Sequence, residues 1–259
     1  MKKVLTIAGT DPTGGAGIQA DLKTMISHKI YGMSVITALV AQNTTGVFKV
    51  VESAPEFVAQ QLDAVFTDIY PDAIKIGMVS NKEIISVIAD KLIEYNAGKI
   101  VLDPVMIATS GGRLFKDDSI DMLMTKLMPL SEVITPNIQE AQVLCGFPIE
   151  DKQDMERAAA KISEKYSGYI LIKGGHLTYC SDDLLYCDGQ FTWYEQERIN
   201  NPNTHGTGCT LSSAIACNLA EGYDVKTSIL NSKSYLTGAL KSNLNLGKGK
   251  GPLNHCWNL

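Results

Sequence analysis

Short apolar runs rich in β-branched residues alternate with amphipathic helical segments along most of this chain. The runs are typical of strands, and they are Lys3–Ala8, Ser34–Ala41, Ala73–Ile76, Lys99–Asp103, Glu132–Thr135 and Tyr169–Lys173. Each is almost continuously apolar, as expected of parallel strands buried on both faces. Apolar residues at helical spacing predict helices over Pro55–Ile69, Lys82–Tyr95, Asp118–Leu127 and Met155–Tyr166. The alternation predicts an α/β fold of three α/β/α layers with a central, mostly parallel sheet.

The pattern changes after Lys173. The segments Asp183–Cys187 and Phe191–Ile199 flank the dipeptide Asp188-Gly189, which is typical of a two-residue hairpin turn. Two more helices are predicted over 207–222 and 225–243, followed by a glycine-rich tail, Gly247–Gly251. No linker rich in proline or serine and no internal repeat divides the sequence. We therefore expect one domain over residues 1–259.

Charge and hydropathy exclude several classes of partner. The chain carries 23 basic and 28 acidic residues, a formal net charge of −5, whereas nucleic-acid and anionic-membrane binders show a basic excess. No apolar run approaches the roughly 20 residues of a membrane span. The start of the chain, M-K-K-V-L-T-I-A-G, has too few apolar residues for a signal peptide. We expect a cytoplasmic protein that binds neither nucleic acid nor membrane.

The cysteines show no disulfide or zinc-finger pattern. They are Cys145, Cys180, Cys187, Cys209, Cys217 and Cys256, with no C-x-x-C pair among them. We expect reduced thiols, most of which fill the core as small apolar residues.

Polar and glycine-rich segments follow the predicted strands, where ligands bind in open parallel sheets. The first is A-G-T-D-P-T-G-G-A-G-I-Q-A-D, Ala8–Asp21, which matches neither of the standard phosphate-loop patterns. Its glycines favour close approach of a ligand over a simple turn. Asp21 lies one turn into the next helix, where an acid is equally explained by the helix dipole.

Two segments offer side chains suited to a heteroaromatic ring. Gln42, in A-Q-N-T-T-G-V, carries a donor and an acceptor side by side, which matches an aminopyrimidine edge; the simpler interpretation is a turn begun by Asn43. Met78, in K-I-G-M-V, is explained as core filling, although a thioether also packs on flat rings.

Two other segments carry oxygen ligands. Asp103 in L-D-P-V-M follows a buried strand, and Asn137 and Glu140 in T-P-N-I-Q-E share a helix face. Such oxygens suit a magnesium–phosphate site, reached through water. A helix cap explains Asn137 as well.

The segment N-T-H-G-T-G-C-T-L-S-S-A, Asn203–Ala214, is the most informative. Gly206 and Gly208 precede a helix, so their backbone N–H groups and the helix N-terminus predict an anion-binding nest. Cys209 falls in the first helical turn, a position that lowers a thiol pKa, unless it is a buried core cysteine. Lys173, in K-G-G-H, ends a strand from which it can reach a transferring phosphate.

Together these motifs resemble the ribokinase superfamily, and within it the hydroxymethylpyrimidine/phosphomethylpyrimidine kinases of thiamine biosynthesis. The resemblance runs from Ala8–Asp21 to G-P-L-N-H at Gly251–His255. It implies a ribokinase-like fold and a homodimer that uses ATP and Mg²⁺; a requirement for K⁺ is left open. The implied reaction phosphorylates an aminopyrimidine alcohol to its monophosphate and then to its diphosphate.

The resemblance also implies a role for each matching residue. It assigns the pyrimidine to Gly9, Asp21, Gln42, Met78 and Val105, and catalysis to Cys209 with the backbone of Gly206, Thr207 and Gly208. It assigns ATP and phosphate to Lys173 and Asn137, and the metal to Asp103 and Glu140. Thr10 and Thr13 stand where serines are common in the family, so the hydroxyl is kept.

Two alternatives stay open. Pyridoxal or pyridoxine kinases resemble this family closely, the cysteine included, but Gln42 and the K-G-G-H segment favour the pyrimidine. A non-catalytic sensor would be expected to lose the anion hole or the metal carboxylates, whereas Lys173, Glu140 and G-T-G-C are all present.

Overall fold

The computed structural model describes residues 1–106, 117–175, 181–196 and 198–259, with the backbone alone for residues 117 and 118. His176 of K-G-G-H, Cys180, and residue 197 of the predicted hairpin lie outside the described residues.

Eight strands form the main sheet. Their order is β10-β9-β8-β7-β6-β5-β1-β2. In chain order, with the two strands of a separate small sheet (β3 and β4), they are β1 Lys3–Ala8, β2 Tyr31–Ile36, β3 Ala38–Asn43, β4 Gly46–Glu52, β5 Ala73–Ile76, β6 Ile100–Leu102, β7 Val133–Ile134, β8 Tyr169–Ile172, β9 Asp183–Cys187 and β10 Gln190–Tyr194. Strands β2, β1, β5, β6, β7 and β8 are parallel, whereas β9 and β10 form an antiparallel hairpin at the edge.

Helices cover both faces of this sheet. They are α1 Gly17–Ser27, α2 Pro55–Phe66, α3 Lys82–Glu94, α4 Asp117–Met122, α5 Ile138–Cys145, α6 Lys152–Ser163, α7 Thr207–Glu221 and α8 Val225–Lys241. A π-helical turn, Leu123–Leu127, continues α4, so the helix predicted over Asp118–Leu127 is not α-helical throughout.

Alternate residues of the central strands enter different cores. Ile170 and Ile172 of β8 pack on one face, whereas Leu171 packs on the other, beside Leu211 and Ile215 of α7. Both faces of the sheet are therefore apolar, and the predicted three-layer arrangement is confirmed. Among the described residues, no helix is both long and apolar enough to cross a membrane.

The single strand predicted over Ser34–Ala41 is wrong. The chain leaves the main sheet at Thr37, whose N–H donates to Ala8 O at 3.0 Å and whose Oγ1 donates to Met78 O at 2.8 Å. Ala38–Asn43 then pairs with Gly46–Glu52 in the separate antiparallel sheet. A continuous apolar run does not reveal a change of sheet, because both parts bury side chains.

The predicted hairpin turn is confirmed. Asp188 and Gly189 have φ values of 47° and 75°, the paired positive angles that a two-residue turn between strands requires. The second strand ends at Tyr194, shorter than predicted.

Candidate active site

A cavity of about 980 Å³ lies at the carboxyl ends of the parallel strands. Its lining includes Gly9 after β1, Met78 after β5, Asp103 after β6 and Lys173 after β8. Gly206–Cys209 at the start of α7 lines the same cavity. The edge of the sheet predicted for ligand binding is therefore where the polar side chains meet.

Gln42 and Met78 form one end of the cavity, together with Gly9 and Val105. Gln42 lies beside a bulge in β4: Ala41 pairs with Lys49 and Gln42 with Val47, which leaves Phe48 unpaired, and a bulge re-aims the side chains beside it. Its Nε2 donates to Thr10 O at 3.3 Å, and Thr10 Oγ1 accepts the N–H of Val40 at 3.0 Å. The small sheet thereby holds Gln42 beside the first glycine loop.

Asp21 does not belong to this lining, which corrects the position predicted for it. Its carboxylate is fully buried and pairs with Lys75 Nζ at 2.8 Å. It also accepts the hydroxyls of Thr6 at 2.6 Å and Ser213 at 2.7 Å. With its oxygens already bonded inside the core, the carboxylate joins β1, β5, α1 and α7 underneath the cavity.

Lys75 was not predicted as a site residue. A lysine in an otherwise apolar buried strand could have indicated it. It is fully buried beneath the cavity. Burial is the largest single cause and acts to lower its pKa, but the charges of Asp21 and Asp103 and the hydrogen bond to Asp21 act against burial, and the pKa lies above the ordinary value. Lys75 is therefore a fixed cation.

Two helix starts converge on Cys209. The thiol lies in the first turn of α7, and the backbone N–H of Gly17, at the start of α1, acts to lower the pKa of the thiol. An α-helix leaves its first N–H groups without helical acceptors, so both ends favour negative charge. Gly206 caps α7 with a φ of 81°, and a Cβ there would overlap Gly15 O, so the two glycine loops interlock.

The pKa of Cys209 is nevertheless raised to about 11, which corrects the expectation of a lowered value. Burial is the largest cause, and the charges of Asp21 and Asp103 add to it. Lys75 and the Gly17 N–H act in the opposite direction without compensating. At neutral pH the side chain is therefore an uncharged thiol.

Lys173 and Asp103 form a buried ion pair, with Lys173 Nζ 2.8 Å from Asp103 Oδ1. Asp103 also accepts the hydroxyls of Thr135 at 3.1 Å and Ser212 at 3.3 Å. Burial is the largest single cause and opposes both charges, but the partner's charge, the hydrogen bond between the partners and further neighbouring charges together outweigh it. The pKa of Asp103 is lowered and that of Lys173 is raised. Lys173 stays cationic beside the glycines of the predicted anion nest.

Asn137 and Glu140 form a capping box at the start of α5. Asn137 Oδ1 accepts the N–H of Glu140 at 3.0 Å, and Glu140 Oε2 accepts the N–H of Asn137 at 2.8 Å. The helix cap considered for Asn137 is confirmed. Burial raises the pKa of Glu140 to about 7, with the charge of Asp103 adding to it and Lys173 opposing.

A buried pair not foreseen from the sequence joins the two glycine loops. Asp11 Oδ2 accepts His205 Nε2 at 2.7 Å and the N–H groups of Gly15 and Ala16 at 3.1 and 2.8 Å. Its other oxygen accepts the N–H and Oγ1 of Thr13. Burial raises the pKa of Asp11, but these bonds together lower it to about 2. Because 194 positions separate the partners, no local pattern could have indicated the pair.

The family model described as phosphomethylpyrimidine kinase matches residues 11–254. The chain belongs to the phosphomethylpyrimidine kinase family. It is a kinase, and the predicted family resemblance is confirmed.

Two curated relatives illustrate the match. The hydroxymethylpyrimidine/phosphomethylpyrimidine kinase of Haemophilus influenzae is 43% identical over 260 residues, covering 98% of this chain and 97% of the relative. The thiamine biosynthesis bifunctional protein ThiED of Geobacter sulfurreducens is 47% identical over 253 residues, or 97% of this chain. The chain spans only 52% of that bifunctional relative.

Solved structures confirm the ribokinase-like fold. Phosphomethylpyrimidine kinase from Clostridium difficile is 46% identical with a TM-score of 0.83, covering 92% of this chain and 98% of that one. Bacillus subtilis pyridoxal kinase in complex with ADP is 37% identical with a TM-score of 0.91, covering 98% and 97%. The pyridoxal kinase has the higher TM-score, whereas the phosphomethylpyrimidine kinase has the higher sequence identity to this chain. We give identity more weight for substrate, because the backbone is shared by both activities and the side chains are not.

Proposed function

We propose that this kinase uses ATP to phosphorylate 4-amino-5-hydroxymethyl-2-methylpyrimidine to its monophosphate, and then phosphorylates the monophosphate to the diphosphate. The observation that carries the proposal is that Gln42, Lys173 and Cys209 line one cavity. The family and the name of the Haemophilus influenzae relative support the pyrimidine as substrate.

The acceptor would bind between the small sheet and the start of α7. The amide of Gln42 offers a carbonyl oxygen and an N–H to the amino group and ring nitrogen of an aminopyrimidine. The thioether of Met78 would pack on the ring face. Gly9 lies beside Met78, since a Cβ at Gly9 would stand 3.5 Å from Met78 Sδ, so the ring can approach the backbone closely there.

The start of α7 would hold the transferring phosphoryl group. Backbone N–H groups at Gly206–Cys209 and the ammonium of Lys173 would stabilise the charge on its oxygens. Phosphoryl transfer has a loose transition state, so positioning and charge stabilisation supply most of the acceleration.

Cys209 can serve both steps because its thiol is neutral at rest and can release its proton. In the first step the thiol gives its proton to water, the bond from the γ-phosphorus to ADP breaks, the alcohol oxygen bonds to that phosphorus, and the alcohol proton passes to the thiolate, which restores the neutral thiol. In the second step the acceptor is already an ionised phosphate, so no proton is removed and the neutral thiol avoids repelling it.

The oxygens of Asp103 and Glu140 fit magnesium held through water. Both carboxylates line the cavity and are already hydrogen-bonded to the protein, which favours contact with a hydrated ion over direct ligation. Among the described residues, no group of three or more His, Cys, Asp or Glu side chains could hold a metal on its own. Mg²⁺ bound with ATP would neutralise charge on the nucleotide phosphates.

Assembly and location complete the proposal. The small sheet exposes Leu39, Phe48 and Val51 by 56%, 68% and 50%, an apolar surface that a second copy would cover in a homodimer. The described cysteines are all free, which supports a reducing compartment such as the cytoplasm.

A second candidate, pyridoxal kinase activity, is favoured by the likeness to the Bacillus subtilis enzyme. The two candidates are separated by measuring kcat/KM for the aminopyrimidine alcohol and for pyridoxal with the same ATP. We expect the pyrimidine to be preferred, and Gln42→Met to reduce kcat/KM for the pyrimidine more than for pyridoxal. A wild-type ratio that favours pyridoxal would contradict the proposal.

A further inference from the structure

Four lysine and arginine side chains line the cavity, and three of them have protein partners. Lys173 pairs with Asp103 at 2.8 Å, and Lys233 pairs with Asp183 at 2.5 Å. Arg198 donates to Gly175 O at 2.9 Å. The fourth, Lys250, has no hydrogen-bond or ion-pair partner for its side chain within the described part of the chain. Its charge is available to a ligand.

The backbone fixes Lys250 between the two ends of the cavity. On one side, Gly251 O accepts the N–H of His205 at 3.1 Å, immediately before Gly206–Cys209. On the other side, the N–H groups of Lys248 and Gly249 donate to Thr44 Oγ1 at 3.1 Å each, two residues after Gln42. The glycine-rich tail therefore runs from the ring end of the cavity to its anion-binding end.

The acceptor near Lys250 carries a different charge in each of the two proposed steps. In the first step the acceptor is a neutral alcohol. In the second step the acceptor carries a phosphate of its own, which must lie between the ring at Gln42 and the γ-phosphoryl group at the start of α7. Two anionic groups then approach each other, and an additional cation between the two ends would reduce their repulsion.

We propose that Lys250 binds the phosphate of the monophosphate acceptor and so favours the second phosphorylation over the first. This inference rests on the proposed function, because it requires both steps to occur in this cavity. A hydrogen bond to a charged group is stronger than one between neutral groups, and the solvent exposure of Lys250 weakens it. We therefore expect roughly a tenfold change in selectivity, expressed in KM for the monophosphate.

The experiment compares kcat/KM for the alcohol and for the monophosphate in the wild type and in Lys250→Gln, Lys250→Arg and Lys248→Gln. Lys248 is the matched control, because it lies in the same tail and is exposed like Lys250 but does not line the cavity. We expect K250Q to lower the monophosphate-to-alcohol ratio of kcat/KM roughly tenfold, K250R to restore it, and K248Q to leave it at the wild-type value. The effect of K250Q should also shrink as ionic strength rises.

Three results would overturn the inference: no change in the ratio for K250Q, equal losses for both acceptors, or the same change in K248Q. Equal losses would assign Lys250 to the nucleotide instead. Failure of the proposed function is recognised separately, since the wild type itself would then not phosphorylate the aminopyrimidine alcohol.

Discussion

The buried charged residues in and beneath this cavity are paired with one another. Asp21 neutralises Lys75, Asp103 neutralises Lys173, and Asp11 accepts His205. Each carboxylate also accepts at least one hydroxyl or backbone N–H. Buried charges are tolerated only with such partners. Cys209 lies among these pairs without an ionic partner of its own in the described part of the chain, and its thiol stays neutral.

The neutrality of Cys209 predicts a split between the two steps. An aspartate about 4 Å from an acceptor phosphate would repel it by about 4 kcal/mol at an effective dielectric of 20. We expect Cys209→Asp to reduce kcat/KM for the monophosphate at least tenfold more than for the alcohol. Cys209→Ser, which adds no charge, is the control and should not show this bias. Equal losses in Cys209→Asp would count against the role given to the thiol.

The Asp11–His205 pair predicts a positioning effect on phosphoryl transfer. His205→Leu removes a hydrogen bond to a buried carboxylate, which costs roughly 1–3 kcal/mol and frees the first glycine loop from the second. We expect kcat to fall roughly tenfold or more with little change in KM for ATP. His205→Gln keeps an N–H donor and should recover most of kcat. If His205→Gln and His205→Leu lower kcat equally, the hydrogen bond is not the relevant contact.

Some site residues could be predicted from the sequence around them, and others depend on partners far away in the sequence. Lys173 and Cys209 could be placed at the cavity because Lys173 follows a recognisable strand and Cys209 opens a helix, whereas Gln42 was indicated by its amide and lies inside β3. Asp21 was placed wrongly because its partner Lys75 is 54 positions away. The thiol pKa was misjudged for a related reason. A first-turn position is visible in the sequence, whereas the burial that dominates the pKa is not.

At the scale of secondary-structure elements, the small sheet and the glycine-rich tail enclose the acceptor end of the cavity. Thr44, in the turn between β3 and β4, accepts two N–H groups of the tail. A Cβ at Gly249 would overlap Thr44 O, so the contact requires glycine there. The turn and the tail are therefore one unit for binding the ring.

Replacing Thr44 tests this unit. Thr44→Val removes the acceptor of both N–H groups, each worth about 1 kcal/mol, and should raise KM for the aminopyrimidine alcohol roughly threefold to tenfold while lowering the melting temperature by only a few degrees. Thr45→Val is the matched control, because within the described residues the side chain of Thr45 bonds only to Asn43 in its own turn. Similar KM values for the two variants would show that the tail does not support the site.

Most elements could be predicted because local periodicity determines them. Strand β1 and the start of α2 at Pro55 agree with the structure to the residue. The small sheet was missed, because β3 continues the apolar run of β2, and β4 is largely exposed and has no core-facing alternation to reveal it. Which sheet a strand joins depends on contacts distant in sequence, such as Thr37 with Met78.

At the scale of the whole molecule, the end of the chain is tied into the core. His255 is 3% exposed, its carbonyl accepts the hydroxyls of Ser27 and Tyr235, and its Nε2 lies 3.0 Å from Thr210 Oγ1. The residues after Lys250 therefore brace α1, α7 and α8 behind the cavity. Burial, helped by the charge of Lys23, lowers the pKa of His255 to about 4.

Because His255 is buried in its neutral form, we expect the folded protein to lose stability as the pH falls. Between pH 6.5 and 4 the unfolded chain protonates His255 and the folded protein does not, so stability falls as pH falls in that range. About 1.5 pH units separate 6.5 from 5, which corresponds to about 2 kcal/mol. Urea unfolding at pH 7 and 5 should show a loss smaller by about this amount in His255→Gln than in the wild type. Equal losses would exclude His255 as the acid-sensitive group.

We infer that one cavity performs two successive phosphorylations of an aminopyrimidine. Phosphorus NMR can follow the reaction of the alcohol with ATP. We expect a phosphomonoester signal of the pyrimidine to rise first and then to give way to the two coupled signals of a diphosphate. ATP consumption that does not depend on the pyrimidine, or a reaction that stops permanently at the monophosphate, would contradict it.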